Sequence, residues 1–180
     1  MDIELSQSEA IDLVNSAKVV KNPITHSFPG PGNEVILKLE SLDHMNIFTL
    51  SIGRTRFELA IAYSIHHVLK RSGNIPIIRL DVDAHSHKNP DAEPPLEFLV
   101  PLRNIRVGER HLHVYVEGFG LSWAFPVTNT DFLRQIGIIS EYNFIENHID
   151  NTRAFLRLIN VTNPRPEDLI TGDILSFNNR

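Results

Sequence analysis

An α+β fold with a largely antiparallel sheet is the expectation for this chain of 180 residues. Three observations lead to it. Apolar runs of period two, or short and continuous, crowd into residues 34–127; helical spacing is confined to the two flanks; the joins between runs are mostly short and turn-like. Strands and helices are therefore segregated rather than alternating, which is the α+β pattern. Hydrophobic and charged fractions of 42% and 22% are those of one globular unit with room for one core, so 1–180 is expected to be a single domain.

The elements follow in order. Over 6–17, Ala10, Ile11, Leu13, Val14 and Ala17 fall at helical spacing, and Ser6 with Glu9 makes a capping-box pair. Pro23, Pro29, Pro31, Gly30 and Gly32 make Lys21–Asn33 an irregular connector. Val35–Leu39 and Asn46–Ile52, separated by a polar turn, predict a hairpin. Arg56–Lys70 fits both a strand, by alternation of Phe57, Leu59, Ile61, Tyr63 and Ile65, and a helix closing at Gly73; the strand is preferred. Ile75–Asp83 alternates β-formers with charges and predicts another strand.

Ala84–Arg110 carries Pro90, Pro94, Pro95 and Pro101 and is expected to be a long loop with a short apolar piece at Phe98–Val100. His111–Glu117 and Ser122–Val127 predict a hairpin around Gly118-Phe119-Gly120. That makes about six strands over 34–127. Helices are expected over Thr130–Ile136 and Asp150–Ile159 within 130–160, each opened by a capping residue. Residues 161–180 form a tail. No internal repeat or low-complexity tract is present.

The charge balance of 17 Lys+Arg against 22 Asp+Glu, a net −5, offers no general grip on nucleic-acid phosphates. Cysteine is absent while histidine occurs nine times. Disulfides, thiolate metal sites and Cys nucleophiles are thereby excluded, and any metal or acid–base chemistry falls to His and carboxylates. The acidic start Met1–Glu9 has no apolar run of the signal-peptide kind. No stretch approaches the ~18 apolar residues that span a bilayer. A cytoplasmic protein without membrane contact is expected, and the sequon Asn160-Val161-Thr162 is then a chance match.

Two segments concentrate the titratable groups: Asp81-Val82-Asp83-Ala84-His85-Ser86-His87 and His111-Leu112-His113-Val114-Tyr115. Side chains at i and i+2 of a strand share a face, so His111, His113 and Tyr115 point one way and Leu112, Val114 and Val116 the other. Regular alternation in the earlier segment places Arg79, Asp81, Asp83, His85 and His87 together. If the two strands are neighbours, four imidazoles and two carboxylates meet on one surface. Such a group suits an acid–base site with Arg79 neutralising developing charge. It equally suits a metal site drawn from Asp81, Asp83, His85, His87, His111 and His113. A two-faced sheet with a solvated side would also place His and Asp there without any function. The remaining five histidines (His26, His44, His66, His67, His148) show no comparable grouping.

Named motifs fail. An EF-hand from Asp81 has Ser86 for Gly and Ala92 for the bidentate Glu. His-Glu-x-x-His, phosphate-binding glycine loops and Gly-x-Ser-x-Gly are absent. The zinc-deaminase pattern lacks its cysteines, and neither His pair matches the repeated His-x-Thr/Ser of two-histidine phosphoesterases. Trp123, between Phe119 and Phe125, reads as a turn entering a core strand rather than as a base-stacking platform. Arg54, Arg56, Arg79, Arg103, Arg106 and Arg110 are dispersed and read as solvated.

Arg79-Leu80-Asp81-Val82-Asp83, His87-Lys88-Asn89-Pro90-Asp91, His111-Leu112-His113-Val114-Tyr115, Gly118-Phe119-Gly120 and Trp123-Ala124 together resemble a family of small uncharacterised bacterial proteins often carried by mobile elements or prophages. That family shows Leu-Asp-Ile-Asp, His-x-Asn-Pro-Asp, His-Leu-His-Ile-Tyr, Gly-Tyr-Gly and Trp-Ala in the same order. The resemblance spans roughly Asn46–Phe155. This chain departs by an insert between Pro94 and Glu109 and by Phe119 in place of Tyr. The resemblance implies a setting of toxins, antidotes and defence or counter-defence proteins, and brings no established activity.

The expected function is a toxin-like or defence-associated hydrolase acting on RNA. His87, His111 and His113 would supply acid, base and orientation, Tyr115 a hydrogen bond, and Arg79 charge stabilisation. No cofactor is required, although a divalent metal would fit the same residues. A non-enzymatic module binding a protein partner through the sheet face or the Pro-rich segment is the alternative from another class.

Overall fold

A computed structural model describes residues 5–55, 61–69, 73–128, 131–139 and 147–172. Helix α1 (Gln7–Asn15) opens at the expected cap: the Glu9 backbone N–H donates to the Ser6 hydroxyl, and the Ser6 N–H donates to the Glu9 carboxylate. Strand β1 (Lys18–Val20) follows, and the proline-rich connector holds one short strand, β2 (His26–Ser27). β3 (Glu34–Ser41), β4 (Ile47–Arg54), β5 (Ile61–Leu69) and β6 (Gly73–Val82) then run as successive antiparallel neighbours. The ambiguous segment is thus a strand over 61–69; residues 56–60 and 70 lie outside the described residues.

The segment 84–110 departs from the expected loop. β7 (His87–Lys88) pairs with β8 (Arg106–Val107), and a 3₁₀ helix at Glu97–Leu102 lies between them in the chain. β9 (His111–Val114) and β10 (Ala124–Pro126) form the expected hairpin, shorter at both strands. Next come α2 (Asp131–Ile136) and α3 (His148–Leu158); Thr130 lies outside the described residues. α3 starts two residues earlier than expected, because the Asn147 side chain accepts from the Ile149 and Asp150 N–H groups and so provides the cap. Asp150 instead sits in the first turn, where the helix dipole favours a carboxylate. β11 (Val161–Asn163), α4 (Pro166–Leu169) and β12 (Ile170–Thr171) give the expected tail regular structure up to Thr171.

The main sheet has eight strands in the order β10-β9-β6-β5-β4-β3-β1-β11. The six expected strands occupy consecutive places in it. The two additions, β1 and β11, are three residues each and pair in parallel across more than 140 positions. Neither is long enough to show a period.

Alternation sorts the two faces. Leu37, Leu39, Phe48, Leu50, Ile52, Ile78, Leu80 and Val82 are buried on one side, joined by Ala10, Val14, Phe132, Leu133, Phe155 and Leu158 from α1, α2 and α3. Each such side chain contributes about 1.5–3 kcal/mol on leaving water. The other face carries Ile36, Lys38, Thr49 and Ser51, and cross-strand register continues it to Arg79 and Asp81 of β6 and to His113 and His111 of β9.

One buried cation ties the sheet to two helices. Lys18 of β1 is fully buried, and its Nζ donates to the carbonyls of Val14 (2.9 Å), Ser16 (2.7 Å) and Ile159 (2.9 Å), lying 4.8 Å from the centre of the Phe48 ring. Those carbonyls end α1 and α3, where the dipoles favour positive charge. Replacing Lys18 by Met leaves three acceptors unpaired and is expected to lower stability by about 2–4 kcal/mol in urea denaturation. Burial pulls the Lys18 ammonium from its ordinary 10.5 down to about 7. Between those values the unfolded chain holds the extra proton, so the contribution of this group to stability increases as pH rises across the window and is flat below it. Stability measured from pH 7 to 10 is expected to lose that slope in Lys18→Met.

Candidate active site

Near one end of the sheet, β6 and β9 pair with Arg79 opposite His113 and Asp81 opposite His111. All four belong to the face away from the apolar core, as the i, i+2 spacing requires. His111 and His113 are nonetheless almost wholly buried, at 2% and 0% exposure, as is Asp81 at 8%. The alternative of a solvated sheet face does not hold at this end, because the 84–110 segment folds back over it.

Hydrogen bonding determines what each ring presents. His111 Nδ1 lies 2.7 Å from the Gly108 carbonyl and His113 Nδ1 lies 2.8 Å from that of Leu121. A carbonyl only accepts, so each Nδ1 carries a hydrogen and each Nε2 is the nitrogen offered inward. Both Nε2 atoms converge on one oxygen, Asp81 Oδ2, at 3.2 and 3.3 Å. Arg79 reaches the same oxygen through Nε (3.0 Å) and Nη2 (2.9 Å), and its Nη2 lies 3.0 Å from His113 Nε2. Burial opposes the charge on Asp81; the Arg79 guanidinium on the same oxygen favours it, and a proton on either inward Nε2 would favour it further. Burial, helped by the charge of Arg79, lowers His113 against the pull of Asp81, so His113 is neutral and accepts from Arg79.

His87 completes the convergence that its distance in sequence left open. Its ring centre is 4.7 Å from that of His113 and 5.9 Å from that of His111, which are themselves 4.9 Å apart. His87 Nε2 donates to the Ser122 carbonyl at 2.9 Å, which leaves Nδ1 with a lone pair and no hydrogen bond among the described residues. Asn89 anchors this segment: its side chain accepts from Ala124 N–H (2.7 Å) and donates to the carbonyls of Ala124 (2.9 Å) and Leu102 (3.2 Å).

Three expected members stand outside the cluster, although His85 still lines the cleft beside it. Asp83 has a φ of 53°, which ends the alternation, and its carboxylate accepts from Arg110 Nε at 2.8 Å. His85 is exposed and is not among the three clustered donors. Tyr115 is buried, and its hydroxyl donates to the Leu5 carbonyl at 3.0 Å, holding the approach to α1. The hydrogen-bonding role expected of it at the site is corrected accordingly.

The cluster forms one wall of a cleft of about 710 Å³ lined by Arg54, Arg79, Asp81, His85, His87 and His111 among others. That volume suits a small molecule or a short stretch of polymer. Of the arginines read as dispersed, Arg54 and Arg79 face this cleft. Arg103 pairs with Asp91 and Glu93, Arg110 with Asp83, and Arg106 with the Ser86 hydroxyl; Arg56 lies outside the described residues. Arg54 was not legible as a site residue because the pairing of β4 through β5 to β6 is what carries it to the cleft. Asn89 appeared within the His-x-Asn-Pro-Asp segment but with no role.

Chemically, the arrangement offers a free imidazole nitrogen, two guanidinium groups for an anion, and a carboxylate with two inward imidazole nitrogens able to hold a metal ion. An α+β protein bearing a His/Asp/Arg centre on the wall of a cleft is the class these features define. The chain belongs to the family of unknown function DUF6978, whose model matches residues 5–161, in line with the resemblance to an uncharacterised family. No curated protein and no solved structure matches it.

Asn89→Ala removes three hydrogen bonds, two of which seat the His87 segment against β10. It is expected to cost about 2–3 kcal/mol, seen as a lower urea midpoint with unchanged slope. The His87 ring resonances should shift in the nuclear magnetic resonance spectrum while the Lys18 region stays unaltered.

Proposed function

We propose that this protein is a hydrolase whose cleft cuts RNA phosphodiesters, with His87 as the base and Arg79 and Arg54 receiving the phosphate. The observation that carries the proposal is the convergence of His111 and His113 on the Asp81–Arg79 pair at the wall of the cleft, with the His87 ring packed against theirs. His87 Nδ1 takes the proton of an attacking 2′-hydroxyl, whose oxygen bonds to phosphorus. The bond to the 5′-oxygen breaks, and that oxygen takes a proton from water in the cleft. Arg79 and Arg54 offset the charge that gathers on the non-bridging oxygens. The rigid group of His113, His111 and Asp81 positions Arg79, and the carbonyl of Ser122 aims His87.

RNA is favoured over a neutral substrate because the cleft brings two arginines and three histidines against Glu34 and an Asp81 already engaged. The resemblance to proteins of mobile elements supports a toxin-like or defence-associated setting.

Cleavage of a fluorescent single-stranded RNA by purified protein tests this. His87→Ala, His111→Ala and His113→Ala are each expected to lower the rate by about a hundredfold or more, with circular dichroism confirming that the variants fold. Tyr115→Phe is expected to leave the rate within twofold once its loss of stability is allowed for. Undiminished cleavage by His87→Ala would contradict the proposal.

A further inference from the structure

We infer that Asp81, His111 and His113 are the three protein ligands of a divalent first-row transition-metal ion whose remaining coordination positions open into the cleft. For the role of the ion this rests on the cleft being hydrolytic; binding itself stands on geometry alone. The three donor atoms lie within 4.8 Å of one another. The two Nε2-to-Oδ2 separations, 3.2 and 3.3 Å, match the spacing of ligand atoms held roughly 2.0–2.2 Å from a common ion, which is about 3–3.5 Å.

The rings are prepared for this role. Metal-binding histidines characteristically donate their other ring N–H to a carbonyl or carboxylate, which selects the tautomer and orients the lone pair. His111 does so to Gly108 and His113 to Leu121. With both Nδ1 atoms protonated, two nitrogen lone pairs and a carboxylate oxygen point at one another inside the protein. Only positive charge between them relieves that arrangement. Arg79 Nη2 partly supplies it, at 2.9 Å from Asp81 Oδ2 and 3.0 Å from His113 Nε2, but it makes no hydrogen bond to His111. Among the described residues Asp81 is therefore the one polar contact of His111 Nε2, and both residues face the cleft.

Imidazole and carboxylate donors without thiolate select borderline ions such as Zn²⁺, Co²⁺ or Mn²⁺. Three protein ligands leave the open position typical of a catalytic ion. Arg79 then acts as a competing cation. Its side chain is 38% exposed, so an arriving ion can displace it toward the cleft, where it meets the phosphate.

The test uses full-length protein stripped of metal and titrated with Zn²⁺ by calorimetry and with Co²⁺ by visible absorption. One ion per chain is expected, with the Co²⁺ bands of a four- or five-coordinate site. His111→Gln and His113→Gln should each weaken binding at least tenfold. Arg79→Gln should bind at least as tightly as the native chain, because its competitor is gone. No stoichiometric binding by either the native chain or Arg79→Gln would overturn the inference, as would Arg79→Gln weakening binding as much as His113→Gln. The native titration needs no variant to fold. RNA cleavage by a chain that binds no ion would overturn the metal site and spare the hydrolytic cleft; ion binding without cleavage would do the reverse.

Discussion

Asp81 Oδ2 accepts from the Arg79 guanidinium and is faced by the inward nitrogens of His111 and His113. A buried carboxylate is costly unless its lone pairs are answered, and among the described residues the groups around this one, Arg79, His111 and His113, come from the paired strands β6 and β9. The demand of that oxygen explains why the β6–β9 register holds Arg79 opposite His113 and Asp81 opposite His111. A slip of β9 by one residue would turn His111 and His113 into the apolar face. The carbonyls of Gly108 and Leu121, which orient the two rings, come from the segments flanking β9, so the loops at both ends of the strand are constrained by the same carboxylate.

The 84–110 segment illustrates how a proline-rich stretch can be a cover rather than a loose loop. Its β7–β8 ladder and the Asn89 bonds to Ala124 seat it against β10, which buries the histidines and brings the His87 ring against that of His113. Burial and access are reconciled by an asymmetry in the cluster. His113 lies behind the wall of the cleft, whereas His87, His111 and Arg79 face it. At the other end of the sheet, Lys18 is the electrostatic counterpart: a buried cation answered by three carbonyls, holding the ends of α1 and α3 against β1.

Much of this was legible in the sequence where it rested on period and local chemistry. The Ser6/Glu9 box, the β3–β4 hairpin, the alternation of β6 and the shared face of His111 and His113 all follow from spacing alone. What escaped depends on contacts between distant residues or on backbone that departs from regularity. Alternation extended through Asp83 and His85 fails because Asp83 adopts a positive φ, which turns its carboxylate to Arg110. Tyr115 lies just past the end of β9, and its hydroxyl is taken by Leu5, more than 100 residues earlier. β1 and β11 are too short to show a pattern, and Arg54 reaches the cleft only through strand pairing. The membership of residues 5–161 in a family of unknown function agrees with the resemblance and leaves the chemistry to be read from the side chains.

The tautomers of the three converging histidines decide whether the centre is built as described. Long-range ¹H–¹⁵N correlation spectra of the metal-free protein would report them ring by ring. A proton on Nδ1 of both His111 and His113, together with Nε2–H and a bare Nδ1 on His87, is the predicted result. A bare Nδ1 on either His111 or His113 would contradict the hydrogen bonds to Gly108 and Leu121 that turn the Nε2 lone pairs inward, and with them the proposed centre.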